Sequence, residues 1–153
     1  MLGVSLRKAT NNDLELMLKW RNDLSISQGF YSQRNGHVIS WTEHIAWWQS
    51  RNQDWRTFII EYKGKPVGIV TIGQLDHWSP EIGFYVGKTS LWNKGIGKKA
   101  VMFGLEYIRN YGREYAHTTV LNNNERSIRL LKGLGFEILG PARPDESWYQ
   151  VKL

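Results

Sequence analysis

The sequence predicts one mixed α/β domain over residues 1–153, and three features carry that prediction. Two apolar, β-branched runs flank Lys63-Gly64-Lys65, and a third follows the turn Asp76-His77-Trp78-Ser79-Pro80, the pattern of consecutive antiparallel strands. A long stretch of helical period opens at Gly95, straight after the third run. The chain of 153 residues, 41% hydrophobic and 22% charged, is large enough to bury a core and too apolar for disorder.

The elements follow in order. Residues 4–9 alternate as an opening strand. Thr10 with Asp13 forms a capping box for a first helix carrying Leu14, Met17, Leu18 and Trp20, which ends near Asn22 and Asp23. Residues 25–36 are polar, contain Gly29, Asn35 and Gly36, and read as a loop. Ser40 and Glu43 make a second capping box, ahead of a helix with Trp41, Ile45 and Trp48 at helical spacing and Trp47 beside them. Strands are expected over 55–62, 66–75 and 81–86. The long helix runs from 95 to about 111, buries Ile96, Ala100, Val101, Phe103, Leu105 and Ile108, and stops at Gly112. A buried strand over 115–121 leads through Asn122-Asn123-Asn124 into a short helix carrying Ile128, Leu130, Leu131 and Leu134, closed by Gly135. Strands over 136–139 and 148–153 finish the chain, and no repeat or low-complexity segment interrupts it. Most of the eight tryptophans are expected in the core.

Composition narrows the functional classes. No apolar run approaches the roughly 20 residues that span a bilayer, so no membrane role is expected. Arg7 and Lys8 lie in the first strand with no hydrophobic signal core, and the absence of cysteine fits a reducing compartment, so cytoplasm is the expected location. Lacking cysteine, the chain has no thiolate nucleophile, disulfide framework or thiolate-held zinc, and no metal site is expected. The formal charge of +6 favours acidic ligands, but the basic residues are scattered, which argues against nucleic acid as a partner. Oligomeric state stays open between monomer and homodimer.

The segment from Glu81 through Trp92-Asn93-Lys94-Gly95-Ile96-Gly97-Lys98-Lys99-Ala100 reads as strand, glycine-bearing basic loop, then helix. Glycines let backbone approach a ligand closely, and the unpaired N–H groups and positive dipole end of the helix favour phosphate. Lys94, Lys98 and Lys99 add charge of the matching sign. A phosphorylated cofactor therefore belongs on this loop. Gly95-x-Gly97-x-x-Ala100 also fits the dinucleotide fingerprint, yet it lies past mid-chain and after antiparallel hairpins instead of opening a parallel sheet. A Walker loop fails, because its first glycine would fall at Trp92 and no Ser or Thr follows Lys98.

Together these residues resemble the GCN5-related N-acetyltransferase superfamily. Trp92-Asn93-Lys94-Gly95-Ile96-Gly97 is similar to that family's Arg/Gln-x-x-Gly-x-Gly/Ala loop, with Trp92 in place of the first residue. Asn124-Glu125-Arg126-Ser127, continuing to Leu131 and Gly135-Phe136, is similar to its Asn-x-x-Ser/Ala…Tyr-x-x-x-Gly-Phe block, with Leu131 in place of the tyrosine. The resemblance covers nearly the whole chain. It implies an acyl-CoA N-acyltransferase fold: a mixed, mostly antiparallel sheet of six to seven strands, splayed between strands 81–86 and 115–121, with about four helices. It implies acetyl-CoA in the splay, with the pyrophosphate on Trp92, Asn93, Lys94, Gly95, Ile96, Gly97 and Lys98, the pantetheine arm along Phe84, Tyr85 and Val86, and further contacts from Asn124 and Ser127.

Transfer to an amine requires an unprotonated nucleophile and a departing thiolate. Glu81 falls where many relatives place the general base, with His77 four residues earlier as a second candidate. Because Leu131 removes the family's usual acid, Tyr85 and Tyr149 are stand-ins, or none is needed, since a thiol of pKa near ~8.5 can leave as the anion. Trp20-Arg21-Asn22 and Ser40-Trp41-x-Glu43-His44-x-x-Trp47 look like the branch that acetylates amino-sugar nucleotides. Arg21, Asn22, His44, Trp47 and His77 are accordingly expected on the acceptor side. N-terminal acetylation of a ribosomal protein and a non-catalytic acyl-CoA-binding module are the alternatives.

Overall fold

The computed structural model describes residues 3–153. Seven strands, β1 (Val4–Lys8), β2 (Arg56–Tyr62), β3 (Lys65–Gly73), β4 (Glu81–Val86), β5 (Tyr115–Leu121), β6 (Glu137–Pro141) and β7 (Glu146–Lys152), form one sheet in the order β1-β2-β3-β4-β5-β7-β6. Every neighbouring pair is antiparallel except β4 with β5. The helices are α1 (Leu14–Asn22), α2 (Leu24–Ser27), α3 (Trp41–Ser50), α4 (Ile96–Asn110) and α5 (Glu125–Gly133). None is long and apolar enough to cross a membrane.

Both capping boxes form. Thr10 with Asp13 starts a single 3-10 turn that feeds α1, and Ser40 with Glu43 starts α3. The segment read as an open loop is more ordered than its polarity suggests. Asp23 Oδ1 accepts from the Ser25 N–H at 2.9 Å and so caps the short α2, and Tyr31–Gln33 makes a 3-10 turn.

Alternation along β4 divides the molecule into two cores. Ile82 and Val86 face α4 and pack with Ile96, Ala100, Val101 and Ile108. A Cβ on Gly104 would stand 2.7 Å from Ile82 Cδ1, so the missing side chain is what lets α4 lie this close to the sheet. On the opposite face Tyr85, Ile59 and Ile69 pack against Met17 and Trp20 of α1, with Trp47 and Trp48 of α3 at the margin. The tryptophans depart from expectation: Trp20 alone is fully buried, while Trp41, Trp78 and Trp148 are exposed.

Candidate functional site

β4 and β5 touch at one bridge among the described residues, Glu81 with His117, where the His117 N–H donates to the Pro80 carbonyl at 2.9 Å. Beyond that point the strands diverge. The separated edges at 82–86 and 118–121 line a cleft of about 1030 Å³.

One end of the cleft is the loop before α4. Asn93 and Gly95 take left-handed φ values of 61° and 83°, which curls the chain around Lys94 and starts α4 at Ile96. Gly95 caps the helix without a side chain, so no side-chain acceptor covers the first-turn N–H groups. Asn93, Gly95, Gly97 and Lys98 line the cleft, whereas Ile96 is buried and offers only its backbone, and Lys94 is exposed away from the lining. Trp92 is pinned by its indole N–H to the Val86 carbonyl at 2.9 Å. The Arg126 guanidinium stacks 3.1 Å from the centroid of that indole ring. Burial and the neighbouring Arg129 lower the Arg126 pKa, and among the described residues neither arginine has a carboxylate partner. Asn124 and Ser127 also line the cleft, and Asn124 Oδ1 accepts the Ser127 N–H at 3.3 Å, capping α5.

The other end lies over the α1 face. Glu81 is half-buried on the side that Gly83 and Tyr85 share, with no ion pair to it among the described residues. Its charge attracts two guanidinium groups, Arg51 and Arg143. Arg51 lies between the rings of Trp47 and Trp55, and burial lowers its pKa to about 10. Tyr85 is a wall and not a free hydroxyl. Its ring meets Trp20 and Phe30 edge-on at 6.1 and 5.7 Å, its O–H points to the Met17 carbonyl at 3.5 Å, and burial raises its pKa well above the usual phenol range. Arg21 lines the cleft, stacked 3.9 Å from the Phe30 centroid and donating through Nε to Gln33 Oε1 at 2.9 Å.

Several expected acceptor contacts are elsewhere. Asn22 is consumed by the 31–40 segment, donating to the Ile39 carbonyl at 2.8 Å and accepting the Ile39 N–H at 2.9 Å. His44 is buried, with Nε2 donating to the Leu14 carbonyl at 2.7 Å, and its ring stacks on Trp47. That stacking holds Trp47 at the rim of the second core, off the lining. His77 is exposed in the 76–80 turn, where Nδ1 accepts the Ser79 N–H at 3.0 Å. Leu131 is wholly buried, so no hydroxyl stands at that position. The residues that sequence reasoning passed over are Arg126, Arg129, Arg143 and Glu146, all on the lining. The i, i+3 spacing of Arg126 and Arg129 on a short helix was a readable sign. Arg143 had none, because it reaches the cleft through the β6–β7 turn, far along the chain.

Residues 4–137 match the family described as acetyltransferase (GNAT) domain. An uncharacterized protein of Methanocaldococcus jannaschii is 39% identical over 153 residues, 98% of this chain, which spans only 31% of that relative's length. A solved domain from the same organism superposes with a TM-score of 0.94 at 37% identity, covering 100% of both chains. The spermidine N-acetyltransferase of Vibrio cholerae, solved with CoA and spermine, superposes with a TM-score of 0.82 at 17% identity, covering 98% of this chain and 95% of its own.

Proposed function

Because the chain belongs to the acetyltransferase (GNAT) domain family, we propose that its cleft moves an acetyl group from acetyl-CoA to a primary amine, probed best as a nucleotide-linked amino sugar. The observation that carries the reading is the parted β4–β5 edge with an uncapped helix mouth at one end and a carboxylate at its foot. In this reading the amides at 95–97 and the Arg126–Trp92 stack receive the pyrophosphate, and the pantetheine arm lies along 84–86. The amine nitrogen attacks the thioester carbon, a free backbone N–H of β4 holds the oxyanion, and collapse breaks the carbon–sulfur bond. Glu81 takes the proton from the amine, directly or through water. Tyr85 is a weak choice for the acid, since burial favours its neutral form and its hydroxyl faces Met17; the thiolate leaves as the anion. Arg21, with the Phe30 and Tyr31 rings beside the cleft, supports an acceptor with both charge and a flat apolar face.

Incubation with acetyl-CoA and a panel of nucleotide-linked amino sugars, peptides and polyamines, followed by free thiol, tests the reading. Turnover confined to peptides moves the acceptor to a protein N-terminus. Tight CoA binding with no turnover on any amine favours a binding module.

A further inference from the structure

Arg21 is a half-buried guanidinium with neutral partners: Gln33 Oε1 at Nε, and Ser32 Oγ at 3.4 Å from Nη2. No carboxylate pairs with it among the described residues, and burial lowers its pKa. An arginine kept this way is costly unless an anion completes the site. Gln33 holds it in place: 2% exposed, its amide donates to the Arg21 carbonyl at 3.1 Å and the His37 carbonyl at 3.2 Å.

Arg143 lines the same cleft. Buried Glu146 fixes it in a two-point pair, Nε to Oε1 at 2.8 Å and Nη2 to Oε2 at 3.1 Å, which leaves Nη1 outside the fork. Its guanidinium stacks 3.8 Å from the centroid of Tyr31, in the same segment that anchors Arg21. The β6–β7 turn and the 28–33 segment thus meet at the cleft, and Arg21 and Arg143 share its lining with Glu81. Resting on the acyl-transfer reading above, we propose that Arg143 is a specificity-determining residue that, together with Arg21, receives a phosphate carried by the acceptor beside its reacting amine.

The test titrates protein saturated with CoA, so that the loop before α4 is already filled. Glucosamine, glucosamine 1-phosphate and inorganic pyrophosphate are compared by calorimetry. Both phosphate-bearing probes should bind at least about tenfold more tightly than glucosamine, and Arg143→Ala and Arg21→Ala should each remove most of that preference. Arg143→Lys should retain part of it, because the charge stays while the planar fork is lost. CoA affinity of the variants, measured first, should match the wild type and reports an intact fold. Glucosamine binding as tightly as its phosphate, or a preference untouched by both alanine variants, overturns the proposal. Failure of the wild type to bind CoA is a separate result, and overturns the acyl-transfer reading itself.

Discussion

Gly97 offers a graded perturbation of the loop that is proposed to grip the cofactor. A Cβ there would lie 3.3 Å from Leu130 Cδ1, 3.6 Å from Val86 Cγ2 and 3.9 Å from Phe84 Cε2. Alanine therefore fits once the tip of Leu130 yields by a few tenths of an ångström. It also replaces a helical glycine, which should stabilise the protein by roughly 0.5–1 kcal/mol. Leucine brings three more carbons that the wall of Leu130, Val86 and Phe84 does not admit, so they project into the cleft beside the amides of the first turn. Displacing a phosphate from one such bond costs about 1.5–3 kcal/mol, or roughly 10- to 150-fold in affinity. Gly97→Ala should thus melt slightly higher and bind CoA almost normally, while Gly97→Leu should melt near the wild type and lose at least about tenfold in CoA affinity. Calorimetry with CoA and thermal melting of the unliganded variants give the two readouts. Wild-type affinity in a well-folded Gly97→Leu variant would refute the placement of the pyrophosphate on this loop.

Other expectations rest on separate residues. Arg126→Ala should weaken CoA binding about tenfold yet leave pantetheine, which has no phosphate, unaffected; equal losses for both ligands would argue against a phosphate contact. Glu81→Gln should lower the steady-state rate by about 10²-fold or more with little change in CoA affinity, and an unchanged rate at neutral pH removes Glu81 from the mechanism. Asp13 accepts two bonds from Arg7, at 2.9 and 2.8 Å, which hold its carboxyl below the usual range. The depressed folded-state pKa means the stability it adds is present above the unfolded carboxyl pKa near ~3.9 and is lost as pH falls through the folded value. Arg7 is partly exposed, so Asp13→Asn should cost only about 1 kcal/mol at pH 7. Denaturant melts from pH 7 down to pH 2 should show a shallower decline for the variant, and parallel curves would contradict the assignment.

Legibility followed the range of the interactions. Each strand end predicted from alternation and turns falls within two residues of its observed place, because hairpins are written in local pattern. The capping boxes at Thr10 and Ser40 were equally plain, each needing only four consecutive residues. The glycine loop and the start of α5 were readable too, since the left-handed turn at Gly95 and the Asn124 side-chain cap depend on their own neighbours, and both stand on the cleft lining. The acceptor end was not. His44 and Asn22 looked like ligand contacts because both are polar, but each satisfies a backbone group from another segment, Leu14 in one case and Ile39 in the other. Only folding discloses that debt. Tryptophan misled for a related reason: its large apolar ring suggests burial, yet Trp47 and Trp55 enclose Arg51 at the margin and Trp78 and Trp148 remain exposed.

The lone bridge at Glu81 and His117 has a mechanical meaning. Among the described residues the sheet is two panels, β1–β4 and β5–β7–β6, whose strands meet at one bridge. At that corner the Ser79 carbonyl also accepts from His117 Nδ1 at 2.6 Å and Ser79 Oγ from Gln150 Nε2 at 3.3 Å, and past it the join depends on α4 laid across the back. An extended molecule pairing with the parted edges, as the proposed function requires, would complete the seam as a missing strand does. Occupancy should therefore stiffen the whole protein, slowing amide exchange on both panels and raising the unfolding temperature in step with ligand concentration.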